Sequence, residues 1–115
     1  MEAIKLRVAF FKTKSGTEPV REWLKNLDQS EKKAIGEEIK TVQFGWPLGM
    51  PVVRKMEPNL WEVRIQLDGR IARILFTVEE EIMVLLHGFI KKTQKTPTQE
   101  LKLAKQRMSI LRKRK

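Results

Sequence analysis

Cations are the side chains with which this sequence could do chemistry. Its 115 residues carry 24 Lys and Arg against 14 Asp and Glu, a formal charge of +10, with one His, no Cys and no Tyr. The absence of cysteine removes thiolate nucleophiles, thiolate metal sites and disulfides together. A lone imidazole argues against a histidine-rich metal centre or a paired-histidine nuclease. What remains is electrostatic work on an anion. A field of this sign concentrates polyanions and speeds their encounter, and each phosphate contact adds salt-dependent affinity. Nucleic acid is therefore the first partner to consider, ahead of an acidic protein. The groups of interest are Arg64, Arg73, His87, Lys91, Lys92 and Lys95, with Arg54 and Lys55 shortly before them.

Positioning those groups requires a sheet, and the chain predicts one. The run from Ile4 to Phe10 alternates Ile4, Leu6, Val8 and Phe10 with Lys5, Arg7 and Ala9, the period of a half-buried strand. Thr17 precedes Pro19 at a plausible helix start, and Val20, Trp23, Leu24 and Leu27 then give an apolar face. Ser30 is the expected cap of a second helix with the stripe Ile35, Ile39 and Val42, closed by Gly45. Residues 45–51 are dense in Gly and Pro and read as a loop.

Beyond that loop the period changes to two. Leu60–Leu67 and Arg70–Val78 read as strands joined by the tight-turn pair Asp68-Gly69, and Glu79-Glu80-Glu81 turns the chain into Ile82–Ile90. Thr96-Pro97-Thr98-Gln99 has the form of a capping box, followed by a helix with Leu101, Ala104, Met108 and Leu111 on one face. The expected class is α+β: an N-terminal strand, a helical hairpin, an antiparallel sheet of about four strands and a C-terminal helix. Residues 1–115 make one domain with a basic tail at 112–115. No apolar run is long enough to span a membrane, and the N-terminal residues lack the apolar core of a secretion signal, so the expectation is a cytoplasmic protein.

Side-chain parity then sorts the cations. Trp61, Val63 and Ile65 share one face of their strand, leaving Glu62 and Arg64 on the other. Ala72, Ile74 and Phe76 suit the core, which places Arg73 on the same outer surface as Arg64. In the last strand Val84, Leu86 and Ile90 alternate against Leu85, His87, Phe89 and Lys91, while Lys92 falls on the opposite side unless Gly88 bends the strand. One face would be buried under helices, and the other would stay open and carry Arg64, Arg73, His87 and Lys91. Against this stands the ordinary reading, in which each such cation aids solubility and His87 is a hydrogen-bonded structural group. Trp61, Phe76 and Phe89 read as core rather than as base-stacking platforms.

The stretches LWEVRI, GRIARILF and VLLHGFIKKTQKTPTQELKLAKQR resemble the phage-derived branch of the HigB-like toxins, within the RelE superfamily. The order of elements matches as well, so the resemblance covers nearly the whole chain. HGFIKKTQKTP ahead of an alanine-containing helix is its most specific part. The resemblance implies the toxin of a type II toxin–antitoxin module that cleaves messenger RNA on the ribosome. It also implies an antitoxin partner, commonly a helix-turn-helix DNA-binding protein. Arg64, Arg73, Lys91 and Lys92 match the family's basic active-site pattern, with His87 and Lys95 beside them, and Arg54 and Lys55 join Lys95 as expected RNA contacts. The superfamily often places a tyrosine near the end of its active site. This chain has none, so a phenol does no work here.

Such a site needs neither metal nor cofactor, because RNA brings its own nucleophile in the 2′-hydroxyl. Arg64 and Arg73 would clamp the phosphate through planar, bidentate donors. Lys91, held among cations that disfavour its proton, would be the base, and Lys92 or His87 would protonate the leaving 5′-oxygen. The products would be a 2′,3′-cyclic phosphate or 3′-phosphate and a 5′-hydroxyl. The competing reading keeps fold and charge without turnover, as an RNA- or ribosome-binding protein. A third, a scaffold for an acidic protein, would bind RNA without the salt dependence that phosphate contacts bring.

Overall fold

The computed structural model describes residues 3–114. Its elements in chain order are β1 (Arg7–Phe10), α1 (Pro19–Lys25), α2 (Gln29–Gly45), β2 (Val53–Glu57), β3 (Leu60–Gln66), β4 (Ile71–Glu79), β5 (Ile82–Lys91) and α3 (Thr98–Lys113). The α+β class and the order of helices stand as expected. The sheet has five strands in the order β1-β5-β4-β3-β2, and it is mixed, because β1 pairs with β5 in parallel. The additional strand is β2. Its short run Val-Arg-Lys-Met-Glu buries only Val53 and sits at the sheet edge, so it lacks the apolar alternation that marks the inner strands.

The helical hairpin covers one face. Pro19 opens α1, whose N-cap is Glu18 rather than Thr17. Asp28, not Ser30, caps α2: its carboxylate accepts from the Glu31 amide at 2.9 Å while the Glu31 side chain accepts from the Asp28 amide. That reciprocal box satisfies two orphan donors at once, and Ser30 supports it by donating to the same carboxylate. Ile35, Ile39 and Val42 then pack with Val20 onto Val63, Ile65, Ala72, Ile74, Phe76 and Leu85. Each such side chain contributes roughly 1.5–3 kcal/mol when taken from water. Trp46, Trp61 and Phe76 close the end of this layer, with Trp46 edge-on to Trp61 at 5.0 Å.

The opposite face is not open, as its alternation suggested. A second cluster joins Leu60, Leu75, Val84, Leu86 and Phe89 to Ala104 and Met108 of α3, with Phe11 at its rim. Leu75 is as deeply buried as Ile74. A register shift in the β4–β5 ladder pairs Leu75 with His87 and Phe76 with Leu85, leaving Leu86 as the extra residue. Leu86 and His87 therefore both turn toward α3, and strict parity fails between them. Gly88 falls on the hairpin side, where a Cβ would stand 2.5 Å from Trp23.

Two local expectations at the C-terminal helix also change. Thr96 makes no capping box, because Pro97 occupies the N-cap and the Thr96 hydroxyl is committed to Glu62. The basic tail is no tail as far as it is described: Arg112 and Lys113 complete α3, and Arg114 donates to the Lys12 carbonyl at 2.8 Å. Lys115 lies outside the described residues. Among the described residues no helix is long and apolar enough to cross a membrane.

Candidate nucleic-acid interface

Helix α3 crosses β4 and β5, and the cations gather beside it toward β3 and β2. The register makes the cluster explicit. Arg64 is the direct partner of Arg73, which in turn pairs with Phe89. The neighbouring row runs Arg54, Glu62, Leu75, His87 across four strands. A third row, Gln66, Ile71, Lys91, brings the lysine onto the same face. Partners in an antiparallel ladder point to the same side, so Arg54, Glu62, Arg64, Arg73, His87 and Lys91 share one surface.

Their environments differ sharply. Glu62 is wholly buried and accepts from Arg64 Nε at 2.7 Å and from the Thr96 hydroxyl. A carboxylate can be held inside only with such partners. Arg64 stays partly exposed, and its remaining donors reach the Gln94 carbonyl and, at 3.4 Å, the Gln94 side chain. Arg73 is 0% exposed. Its guanidinium lies 5.7 Å from the Phe89 ring centroid and donates Nη2 to the Thr93 carbonyl, while Nε and Nη1 have no hydrogen-bond partner. Burial, and then the Arg64 charge, push Arg73 below the ordinary arginine value; Glu62 pulls the other way.

A groove of about 440 Å³ opens on the exposed side of Arg64. Arg54, Arg64, Gln66 and Ile71 line it from the sheet, Pro51 and Val52 from the loop after α2, and Gln94 from the segment after β5. Glu38 of α2 stands at its margin. The groove thus offers two guanidinium groups, side-chain amides and an apolar wall, a mixture suited to a phosphodiester with an adjoining base.

The other expected residues are distributed as follows. Lys91, Lys92 and Lys95 are exposed around the segment leaving β5. His87 is enclosed under α3, its Nε2 2.8 Å from a Glu100 carboxylate oxygen and its ring stacked on Phe89. Arg107 packs behind it, donating to the Leu86 carbonyl at 2.8 Å, and burial holds its guanidinium below the usual arginine value. Lys55 pairs with Trp61, whose ring packs in the hairpin layer, and so points away from the arginines. Phe76 and Phe89 are buried, and Trp61 is partly buried within the core.

Three participants escaped sequence reasoning: Glu62, Gln94 and Thr96. Parity already put Glu62 beside Arg64, which was the available signal. Nothing local announces that Gln94 and Thr96 fold back over that pair. Among the described residues no three His, Cys, Asp or Glu side chains gather to hold a metal ion.

The model of the family described as phage-derived protein Gp49-like (DUF891) matches residues 22–109. That span runs from α1 to within the last turns of α3 and contains every residue of the cluster. No curated protein matches the chain.

Proposed function

The chain belongs to the Gp49-like family of phage-derived proteins, which is associated with toxin–antitoxin toxins, and on that premise we propose that it is an endoribonuclease of the HigB-like branch. Its substrate is messenger RNA, engaged in the ribosome, and a helix-turn-helix antitoxin silences it. The observation that carries this reading is Arg64 and Arg54 lining one groove of about 440 Å³, with Arg73 buried directly beside Arg64 in the register.

In the proposed reaction the RNA 2′-oxygen attacks the adjacent phosphorus as its proton passes to Lys91. The P–O5′ bond breaks, and the 5′-oxygen leaves with a proton from Lys92. Arg64 and Arg54 bind the non-bridging oxygens from the groove, and Arg73 adds its charge from beneath. One well-placed donor of this kind contributes roughly 3 kcal/mol at the transition state. His87 is bound to Glu100 and packed under α3, so it serves the fold in this scheme and the acid role falls to Lys92. Lys95 and Lys55 add long-range attraction to RNA.

A second reading is a ribosome- or RNA-binding protein without turnover. The burial of Arg73 and the engagement of Arg64 by Gln94 favour it. Translating ribosomes incubated with the purified protein distinguish the two. Cleavage predicts new mRNA ends with 5′-hydroxyls that vanish in Arg64→Ala. Salt-sensitive ribosome binding with intact mRNA would establish the second reading instead.

A further inference from the structure

The segment after β5 lies across the arginine pair and is fastened at three points. Arg73 donates to the Thr93 carbonyl, Arg64 to the Gln94 carbonyl, and the Thr96 hydroxyl donates to Glu62. We propose that this Thr93–Thr96 strap is a latch seated in an anion site, and that an RNA phosphodiester displaces it. The inference rests on the reading of this face as RNA-binding and adds how the site is kept closed.

Two carbonyl oxygens occupy donors that suit phosphate oxygens, since both are acceptors for the same guanidinium N–H groups. A carbonyl is the weaker of the two acceptors, because it carries no net charge. The closed site is also incompletely satisfied. Arg73 is fully buried, yet its Nε and Nη1 find no acceptor, whereas native interiors pair nearly all such groups. A phosphate arriving from the Arg64 side carries enough lone pairs to fill them.

The strap itself is built to lift. Thr93, Gln94 and Lys95 are exposed, so their release breaks few apolar contacts, and only Thr96 is buried. Lys95 travels with the strap and keeps it attracted to the RNA that moves it. The Thr96–Glu62 bond is the one fastening that uses neither arginine. Its removal therefore loosens the latch without removing a phosphate donor.

A 2′-O-methyl RNA hexamer, which lacks the nucleophile and is not cleaved, tests the latch. Thr96→Val is expected to bind it roughly three- to tenfold more tightly than the wild type, the worth of about one hydrogen bond. Thr96→Ser, which keeps the hydroxyl, should match the wild type. In the wild-type protein, saturating hexamer should shift the backbone carbonyl resonances of Thr93 and Gln94, which lose their guanidinium donors, together with the Arg73 Nε–H resonance. Unchanged or weaker binding by folded Thr96→Val would overturn the latch. So would a hexamer that binds with the Thr93 and Gln94 carbonyls and Arg73 all unshifted, a result available even where Thr96→Val does not fold. A strap that lifts in a protein that never cleaves RNA keeps the latch and sinks the nuclease. Cleavage with the strap in place does the reverse.

Discussion

Arg64 and Arg73 face one another across the β3–β4 ladder, yet one stands at the edge of a groove and the other is sealed from water. Their difference follows from what covers each strand. Helix α3 and the Thr93–Thr96 strap lie over β4, while β3 is left beside the groove. Arg64 also has a carboxylate partner in Glu62, whereas Arg73 has a backbone carbonyl and the face of Phe89. Adjacent arginines of the same register thus divide into a contact group and a buried charge.

That division gives Arg73→Met an unusual expected outcome. A buried cation without a matched anion is replaced at little or no cost by an apolar side chain of similar length. The variant should unfold at a temperature no lower than the wild type's. The proposed RNA cleavage should nevertheless fall by at least ~10²-fold, about 2.7 kcal/mol at the transition state. Growth arrest on expression without antitoxin, with melting curves beside it, measures both. Full toxicity in the folded variant removes Arg73 from the site.

Glu62 is expected to be the most stability-sensitive polar residue of this face. Glu62→Ala strips a buried guanidinium contact and a hydroxyl contact together. Breaking one partner of a buried pair costs on the order of 3–5 kcal/mol. Glu62→Gln keeps one carbonyl acceptor for Arg64 Nε, while its amide N–H can donate to the Thr96 hydroxyl oxygen, and it should lose less than half as much. Urea denaturation of the two variants reads the difference, and equal midpoints would show that the lost charge, not the hydrogen bonds, accounts for the whole cost.

Lys91→Arg tests whether Lys91 is the base of the proposed reaction. Arginine keeps the charge but offers no accessible neutral form. The variant should bind ribosomes as the wild type does and cleave at least tenfold more slowly, about 1.4 kcal/mol of lost transition-state stabilisation. Wild-type cleavage would make Lys91 an electrostatic contact.

The cap of α2 should register in the acid limb of the stability curve. The Glu31 amide, then the Ser30 hydroxyl, hold the Asp28 carboxyl below its ordinary value of 3.8. A depressed native value means that the carboxylate contributes stability above the unfolded value and loses it as pH falls through the native one. Below pH 4 the wild-type melting temperature should therefore drop more steeply than that of Asp28→Asn, which caps without titrating. Parallel curves for the two proteins between pH 6 and pH 2.5 would exclude the coupling.

Gly88→Ala should be destabilising by about 1–3 kcal/mol, since its methyl group would meet the Trp23 ring at 2.5 Å and force α1 outward. Trp23→Leu in the same chain should return part of that loss. Equal destabilisation in the single and double variants would place the strain elsewhere.

How far the residues alone determine this protein is clearest along β3 and β4. The alternation of Trp61, Val63 and Ile65 against Glu62 and Arg64, and of Ala72, Ile74 and Phe76 against Arg73, sufficed to put both arginines on one face, because strand parity is a local property of the backbone. The stripe Ile35, Ile39 and Val42 specified α2 for the same kind of reason. Tertiary contacts decided the rest. Whether a face is open depends on what lies across it, and α3 comes from the far end of the chain to bury Leu75 and Phe89. The parallel seat of β1 beside β5 has no local signature. The extra residue at Leu86 breaks the period that reading along the strand assumes. Thr96 has the residues of a helix cap after it, but the buried Glu62 carboxylate has the stronger claim on its hydroxyl. An acceptor charge enclosed away from water outweighs a cap at a solvent-facing helix end, where water can serve the orphan amides instead.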